Sequence, residues 1–243
     1  MAKVKKPAGY SRTAKSVSFS SKKRNLKDVT AVVFHYTANK GDTAKNNADY
    51  YATGNTRSAG AHIFVSRNGD IAYSIPLNRV AYAVGGKYST SNGAGSYYCN
   101  ITNANSVSIE LCDCATKDVS WEQMVACRKL YLWIKEECPN VKRVVRHWDV
   151  NGKECPGRMI GTHSNKWEHF KNKITKNYQY AVKVKKDAAI RSSKGVKKNN
   201  KTGSVKRGAH LKISKVSGNW GRLLQKDNKG RWQWVSLKKC VEI

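Results

Sequence analysis

Three short apolar runs in the first two thirds of the chain constrain its fold more than any other feature. They cover Val29–His35, Ser106–Cys112 and Val141–Val145, and runs of this length are typical of strands buried in a sheet. Two segments between them, Thr43–Thr53 and Trp121–Glu137, carry apolar residues at helical spacing. Alternating buried strands and amphipathic helices predict an α/β fold for this part of the chain.

Turn residues add detail to this α/β part. An Asn-Gly turn at residues 67–70 separates the apolar segments Ala61–Ser66 and Ile71–Ile75, and this pattern predicts a β-hairpin. Gly85–Asn105 is rich in Gly, Ser, Asn and Tyr, which predicts a long surface loop. Trp167–Ile174 is predicted to form the last helix of this part.

The last third of the chain has a different composition. From Tyr180 to Ile243 it holds 18 Lys and Arg residues against 3 Asp and Glu residues. Its apolar runs are short and are separated by turns, a pattern that predicts a small all-β barrel. The predicted strands are Tyr180–Val184, Ala188–Arg191, Gly203–Val205, His210–Val216, Trp220–Leu224 and Trp232–Ser236.

These patterns together predict two domains. Residues 1–28 are basic and rich in Ser, and they are predicted to be an N-terminal arm or a loop of the first domain. The first domain covers residues 29–175, a linker covers 176–180, and the all-β domain covers 181–243.

The formal net charge of +30 is extreme and favours a polyanionic partner: nucleic acid, an anionic membrane or an anionic cell wall. No run approaches the roughly 20 apolar residues of a membrane span, so we expect no membrane insertion. Met1–Lys6 leads into a Ser- and Lys-rich stretch without the apolar core of a signal peptide. We therefore expect synthesis in a cytoplasm, with export, if any, by another route.

Two histidines and a cysteine are the candidate metal ligands. His35 and His147 each follow an apolar run, and Cys155 comes eight residues after His147. Three N/S ligands that leave one position open are typical of a catalytic zinc site. Taken singly, each histidine could be an ordinary residue at a strand end, and Cys155 a small buried apolar residue like the other six cysteines. Their joint occurrence favours the metal site, and the basic residues Arg146 and Lys153 are expected to favour the Cys155 thiolate.

Glu110 and Lys153 are the candidate catalytic residues beside this site. Glu110 lies in an apolar strand, where burial would raise its pKa and suit it to carry a proton. The alternative is a carboxylate on the exposed face of the strand. Lys153 could stabilise an oxyanion, or it could be one of many surface lysines.

Five segments of the chain resemble the type-2 N-acetylmuramoyl-L-alanine amidases, a family that includes phage endolysins and is related to the peptidoglycan recognition proteins. They cover roughly residues 25–175, in order and at sensible spacings. The segments are Val33–Ala38, Ala59–Val65, Asn68–Ile71, Ser108–Cys112 and Arg146–Gly157.

The resemblance implies a central mixed β-sheet flanked by helices and one Zn²⁺ ion in a surface cleft. It implies hydrolysis of the amide between N-acetylmuramic acid and the L-alanine of the peptidoglycan stem peptide. The metal ligands fall on His35, His147 and Cys155, and the catalytic pair on Glu110 and Lys153. His62 and Trp148 are predicted to line the substrate cleft, although His62 could equally be a packed or exposed imidazole.

The tail resembles bacterial SH3-type cell-wall-binding domains over about residues 178–243. Trp220, Trp232 and Trp234 are the predicted wall-binding residues, with barrel core as the alternative for one or two of them. Anionic teichoic polymers of Gram-positive walls would attract so basic a protein.

The favoured hypothesis is therefore a monomeric peptidoglycan amidase, a phage or prophage endolysin made without a signal peptide and released to the wall by a holin. The first alternative is a non-catalytic peptidoglycan-recognition protein, although those proteins typically lack the cysteine ligand. A nucleic-acid-binding protein is supported by charge alone, because no base-reading or stacking motif is present; we expect no nucleic-acid partner.

Overall fold

The computed structural model describes residues 4–85, 95–175 and 180–242, and the chain divides into two compact units, Met1–Thr175 and Lys176–Ile243. The central part of the predicted loop Gly85–Asn105 and all but the last residue of the predicted linker 176–180 lie outside the described residues.

The first unit contains a six-stranded mixed sheet, a two-stranded ribbon and four helices. Its strands are β1 Tyr10–Ser11, β2 Phe19–Lys23, β3 Ala31–Tyr36, β4 Ile63–Val65, β5 Ile71–Tyr73, β6 Arg79–Ala81, β7 Ser106–Leu111 and β8 Arg143–Arg146. Its helices are α1 Ala44–Thr53, α2 Trp121–Glu137, α3 His147–Asn151 and α4 Ser164–Thr175.

The six strands run in the order β1-β5-β4-β7-β3-β8. The β4–β5 pair is antiparallel and the other neighbours are parallel. The antiparallel pair is the predicted hairpin, in which the Ser66 amide donates to the Asp70 carbonyl oxygen over 2.8 Å. The mixed sheet predicted from the family resemblance is confirmed.

Side-chain alternation along β3 and β7 gives the sheet two different faces. Val32 and Phe34 of β3, like Ile109 and Leu111 of β7, pack into the main core with residues of α2 and α4. The intervening residues point to the opposite face, where Val33 packs with residues that include Val150 of α3. Helix α1 also lies on this second face, where Ala44 and Ala48 pack against Phe64 and Ala72. Helices therefore cover both faces.

Local sequence signals explain where the two longer predicted helices begin. The Thr43 hydroxyl oxygen accepts the Asn46 amide proton at the start of α1. Helix α2 begins with a capping box, in which the Ser120 and Gln123 side chains each accept from the other residue's backbone amide. Its observed bounds equal the predicted ones.

Residues 4–28 are more regular than the predicted arm or loop. The strand β1 pairs with β5 at the edge of the main sheet, and β2 pairs with β6. The Arg24 guanidinium reaches inward and donates to the carbonyl oxygens of Leu77, Asn103, Ala104 and Ser106. Backbone pairing and the Arg24 side chain hold this segment in place. Because its sequence has no apolar periodicity, no pattern in the sequence predicts its strands.

The second unit consists of antiparallel strands in the order β11-β10-β14-β13-β12-β9-β15. Its small core contains buried apolar side chains from five strands: Val182, Val184, Ala188, Ile190, Ile213, Val235 and Cys240. The predicted all-β character is confirmed. The strands are β9 Tyr180–Val184, β10 Ala188–Arg191, β11 Lys201–Val205, β12 His210–Ser217, β13 Trp220–Lys226, β14 Trp232–Ser236 and β15 Cys240–Glu242.

All seven cysteines are free thiols, six of them buried and Cys99 exposed. Among the described helices, none has the length and apolar character needed to cross a bilayer.

Replacing Phe34 by Ala tests the core behind β3. Phe34 is fully buried and its ring packs edge-on against Phe170, with ring centroids 4.9 Å apart. We expect Phe34→Ala to lower the free energy of unfolding by about 3–5 kcal/mol, because it leaves a cavity. Urea denaturation followed by circular dichroism measures the change. The control Tyr50→Ala removes an aromatic ring that is 42% exposed, and equal losses from both variants would contradict this account of the core.

Candidate metal centre and cleft

Backbone pairing places His35 beside Glu110. In the parallel β3–β7 pair, His35 is the register partner of Glu110, so both side chains point to the same face of the sheet. Both lie one residue before the end of their strands, on the face opposite α2 and α4. His35 is only 2% exposed, so its imidazole is buried within the fold.

His147 is the first residue of the short helix α3, directly after β8. The helix covers only the five residues His147–Asn151. Gly152 ends the helix in the left-handed conformation, with a φ of 83°, which favours glycine. A helix this short lacks the apolar periodicity that would reveal it in the sequence.

A buried ion pair holds the start of α3. The Asp149 carboxylate accepts the Arg146 amide proton over 2.7 Å and its Nη2 proton over 2.6 Å. The other guanidinium branch, Arg146 Nη1, donates to the Met159 carbonyl oxygen. Arg146 therefore ties β8, α3 and the segment after Cys155 together. The Arg146 guanidinium is paired with Asp149, and it does not stabilise the Cys155 thiolate in the way that the sequence predicted.

Cys155 is tied to the same helix. The Trp148 amide donates to the Cys155 carbonyl oxygen over 2.9 Å, and the Cys155 side chain is 3% exposed. A Cβ atom at the neighbouring Gly157 would lie 2.8 Å from the Tyr36 hydroxyl oxygen, so a larger residue there would displace the tyrosine side chain. These contacts fix the sulfur relative to the histidines on α3 and β3.

The three predicted ligands converge. The two Nδ1 atoms of His35 and His147 lie 3.1 Å apart, and the Cys155 sulfur lies 3.8 Å from His35 Nδ1. All three ligand atoms lie within 4.8 Å of one another. Tetrahedral zinc with ordinary bond lengths would separate two nitrogens by about 3.3 Å and a nitrogen from a sulfur by about 3.6 Å. The donor set therefore fits zinc.

Unsatisfied polar atoms surround this cluster. His35 Nε2, His147 Nε2 and Glu110 Oε2 are buried and have no hydrogen-bond partner among the described residues. Buried polar atoms are costly to leave unpaired, so their number at one place indicates a site that takes up a further group.

Burial keeps both imidazoles neutral, which is the form that binds a metal. Burial lowers the pKa of His35 well below its usual value, with further lowering from the His147 ring and the Lys153 ammonium. Burial, with Lys153, lowers the pKa of His147 to about 4.

The neighbouring acids are shifted in the other direction. Burial raises the pKa of Glu110 to about 7, opposed by Lys153 and reinforced by Asp42; this is the direction predicted from its apolar neighbours. Burial, with Glu110, also raises the pKa of the Cys155 thiol, and Lys153 offsets only part of this. The expected thiolate therefore requires a bound cation rather than the flanking basic residues.

Glu110, Lys153 and Cys155 open onto a cleft of about 810 Å³. The rest of its wall comes from the segment after β3, helix α1 and the residues before β4, which supply amide, hydroxyl and aromatic groups. Sequence reasoning missed these residues, because polar side chains in loops have no distinguishing pattern. They include Tyr36, Thr37, Asn39, Asp42, Asn46, Asn47, Tyr50, Tyr51, Arg57, Ser58 and Phe64.

His62 does not reach this cleft, and its predicted place there is wrong. The side chain is fully buried. Its Nδ1 accepts the Ser108 amide proton over 3.0 Å, and its Nε2 lies 3.1 Å from the Arg79 carbonyl oxygen and 3.0 Å from Arg24 Nη2. Burial and Arg24 lower the pKa of His62 to about 3, so it is a neutral structural residue beneath β7.

Trp148 is partly exposed, and its ring lies 4.6 Å from the Arg146 guanidinium carbon. It is not among the residues that line the cleft. Its side chain therefore covers the buried ion pair rather than the cavity.

The three tryptophans of the second unit lie outside its core. Trp220 and Trp234 are half-buried, and Trp232 is 38% exposed. The Arg222 guanidinium lies 4.0 Å from the Trp232 ring centroid, and the Lys226 ammonium lies 5.0 Å from it. Trp232 and these two cations thus form an exposed patch that suits a ligand with an aromatic-stacking face and an anionic group.

A model of the N-acetylmuramoyl-L-alanine amidase family matches residues 25–158. This chain belongs to that family. The matched range includes His35, Glu110, His147, Lys153 and Cys155, and it ends before the second unit, whose SH3-type character stays a prediction.

Curated relatives from Bacillus subtilis strain 168 agree with this membership. The N-acetylmuramoyl-L-alanine amidase BlyA is 34% identical over 158 residues, which cover 61% of this chain and 42% of BlyA. The amidase XlyB is 30% identical over 171 residues, 70% of this chain and 49% of XlyB. The chain therefore spans less than half the length of these two relatives.

Two solved structures share the fold. The structure of PlyL has a TM-score of 0.54 at 20% identity and covers 70% of this chain and 98% of that one. The catalytic domain of XlyA has a TM-score of 0.52 at 23% identity and covers 69% of this chain and 99% of that one.

Removing the Asp149 carboxylate tests the pair that positions α3. We expect Asp149→Ala to lower the free energy of unfolding of the amidase-family unit by about 3–5 kcal/mol, because it leaves Arg146 buried and uncompensated. The control Asp118→Ala removes a 54% exposed carboxylate that pairs with Arg158 and Lys166 and should cost about 1 kcal/mol or less. Urea unfolding followed by tryptophan fluorescence compares them. Similar losses in the two variants would argue against a special role for Arg146.

Metal analysis tests the ligand set. We expect the purified chain to retain about one zinc ion after dialysis, as a three-ligand site allows, and Cys155→Ala to retain almost none. The exposed thiol variant Cys99→Ala should keep its zinc. Mass-spectrometric zinc content and the melting temperature with and without zinc are the measurements; a zinc-replete Cys155→Ala protein would remove Cys155 from the site.

Proposed function

We propose that this chain is a zinc-dependent peptidoglycan amidase that cleaves the amide between N-acetylmuramic acid and the L-alanine of the stem peptide. One observation carries the proposal: two neutral imidazoles converge with the Cys155 thiol, which lines the cleft, and a buried carboxylate lies on the adjacent strand. Membership of the amidase family supports the choice of reaction.

His35, His147 and Cys155 would hold the zinc ion. Zinc bound by such a set would act as a Lewis acid. It would also lower the pKa of a bound water, so that this water could attack a carbonyl carbon near neutral pH. The neutral imidazoles are ready for this role, and the Cys155 thiol would release its proton when the metal binds.

Glu110 is the proposed proton carrier. Its raised pKa allows it to accept a proton from the attacking water and to return it to the leaving nitrogen. In that exchange the bond from the water oxygen to the carbonyl carbon forms, the carbon–nitrogen bond breaks, and the amine of L-alanine leaves with the proton. Register pairing with His35 holds the carboxylate at the site.

Lys153 is the proposed oxyanion-stabilising residue. It is exposed, lines the cleft and lowers the pKa of Glu110 and of both histidines through its charge. An ammonium group aimed at the developing negative charge favours the transition state over the ground state.

The remaining parts fit the same proposal. The polar and aromatic cleft wall suits a glycopeptide, which offers amide and hydroxyl groups together with the apolar faces of a sugar. We propose that the second unit is an SH3-type domain that retains the protein at the cell wall, with Trp220, Trp232 and Trp234 as contacts. The protein would act as a monomeric phage or prophage endolysin, made in the bacterial cytoplasm and released to the wall by a holin.

Conversion of Glu110 to Gln tests the mechanism. We expect zinc content to be unchanged and the rate of hydrolysis to fall about 10²–10⁴-fold, because the amide cannot accept the proton. The assay is the release of new L-alanine amino termini from purified cell walls, with and without a chelator.

The outcomes separate the candidate functions. Chelator-sensitive release of L-alanine termini supports the amidase, and full activity of Glu110→Gln would remove Glu110 from the mechanism. Tight wall binding without release would indicate the non-catalytic recognition protein. Release that a chelator leaves unchanged would indicate a different hydrolase.

A further inference from the structure

A basic groove lies on the second unit, away from the tryptophan patch described above. It encloses about 660 Å³ and is lined by residues of β9 and of two segments beside it, and we call it the β9 groove. Its lining residues are Lys183, Val184, Lys185, Arg207, Gly208 and Val241.

The backbone around the β9 groove is well fixed. Lys183 is the register partner of Val241 on β15 and of His210 on β12. Beyond the end of β9, the Lys185 amide donates to the Lys239 carbonyl oxygen over 2.8 Å, and the Gly208 amide donates to the Val184 carbonyl oxygen over 2.8 Å. The cations are therefore presented from a paired strand and a bonded turn.

The alternation along β9 directs two lysines to one side. Val184 is 1% exposed and packs in the small core. Lys183 and Lys185 flank it and are both exposed. Arg207 is exposed on the turn opposite, so three cationic side chains surround one groove.

Among the side chains that the structure describes in the second unit, no carboxylate pairs with these three cations. Asp187 accepts the Lys206 ammonium over 3.0 Å and the Arg207 backbone amide over 2.8 Å. In the described part of the chain, no ion pair involves the side chains of Lys183, Lys185 or Arg207. The groove therefore concentrates uncompensated positive charge.

The chemistry of the lining residues limits the class of ligand that the β9 groove can bind. The groove contains cations, two apolar valines and a glycine, and no aromatic ring. Sugars and single-stranded nucleic acids are usually held through aromatic stacking, which this groove does not offer. A flexible chain of phosphate groups needs only closely spaced cations and an open channel. The β9 groove offers both.

We propose that the β9 groove binds a phosphodiester-linked anionic polymer of the bacterial cell wall. This inference rests on the proposed role of the second unit in wall binding and names the wall component it recognises. The tryptophan patch would contact other parts of the wall.

Wall retention of charge-matched variants tests the inference. The groove variant is Lys183→Gln/Lys185→Gln/Arg207→Gln. The control is Lys197→Gln/Lys198→Gln/Lys201→Gln, which removes three exposed cations from the same unit outside the groove. Full-length proteins are sedimented with purified Gram-positive walls before and after hydrofluoric acid treatment, which cleaves phosphodiester-linked polymers from the wall, over a series of salt concentrations.

We expect the full-length protein to bind intact walls at least tenfold more tightly than treated walls. The groove variant should lose most of that difference, and the slope of log affinity against log salt should become shallower by about 2, as expected for three lost cations on a flexible polyanion. The control should change affinity by less than about threefold. Equal losses in the two variants, or equal binding to intact and treated walls, would overturn the proposal.

Two further readouts keep this result separate from the amidase proposal. Binding of inorganic polyphosphate should weaken in the groove variant alone, whereas duplex DNA competing as well as the wall polymer would overturn the choice of partner. Hydrolysis of a soluble muramyl peptide should be the same in all three proteins. A chain that hydrolyses nothing but still shows the groove-dependent retention would refute the amidase function and leave the groove assignment intact.

Discussion

Parallel pairing of β3 with β7 is the constraint on which the rest of the molecule depends. The register brings His35 opposite Glu110, and the same alternation sends Phe34 and Ile109 into the core on the other face. A shift of one residue would reverse both faces at once. Stability and chemistry therefore share a single set of backbone hydrogen bonds.

The electrostatics of the centre follow from its burial. In a poorly hydrated place, both imidazoles lose their affinity for protons while the carboxyl and thiol groups gain it. The result is a site that is nearly uncharged on its own and in which Lys153 is the exposed cation at the edge. An ion with two positive charges is the partner that such a set of neutral donors accommodates, because it draws the proton from the thiol and accepts the lone pairs of the two converging Nδ1 atoms.

The long elements of the fold could be predicted because periodicity and capping agree. Helix α2 has both a capping box and a buried face, and β7 is a plain apolar run with one carboxylate. The convergence of His35, His147 and Cys155 could be predicted from residue type and order. What could not be predicted depended on tertiary contacts: β1 and β2 exist through edge pairing and Arg24, and α3 exists because Asp149 caps it and pairs with Arg146. His62 was misplaced for the same reason, since only the packed structure shows that its ring bonds to the backbone of β7. The cleft wall was missed because its asparagines and tyrosines lie in and around loops, where side-chain type carries little positional information.

Different segments of the chain supply the candidate site residues and the opposite wall of the cleft, and this separation affects how the choice of substrate could change. The candidate ligands and Glu110 come from the sheet, from α3 and from the segment that follows α3, and these parts are held by backbone pairing and by a buried ion pair. Much of the opposite wall comes from residues 37–59, which contribute no ligand to the centre. If the chain is the amidase proposed above, exchange of that wall segment would alter which glycopeptides are accepted while leaving the metal centre and Glu110 in place, so the choice of cell wall could be changed by grafting one segment.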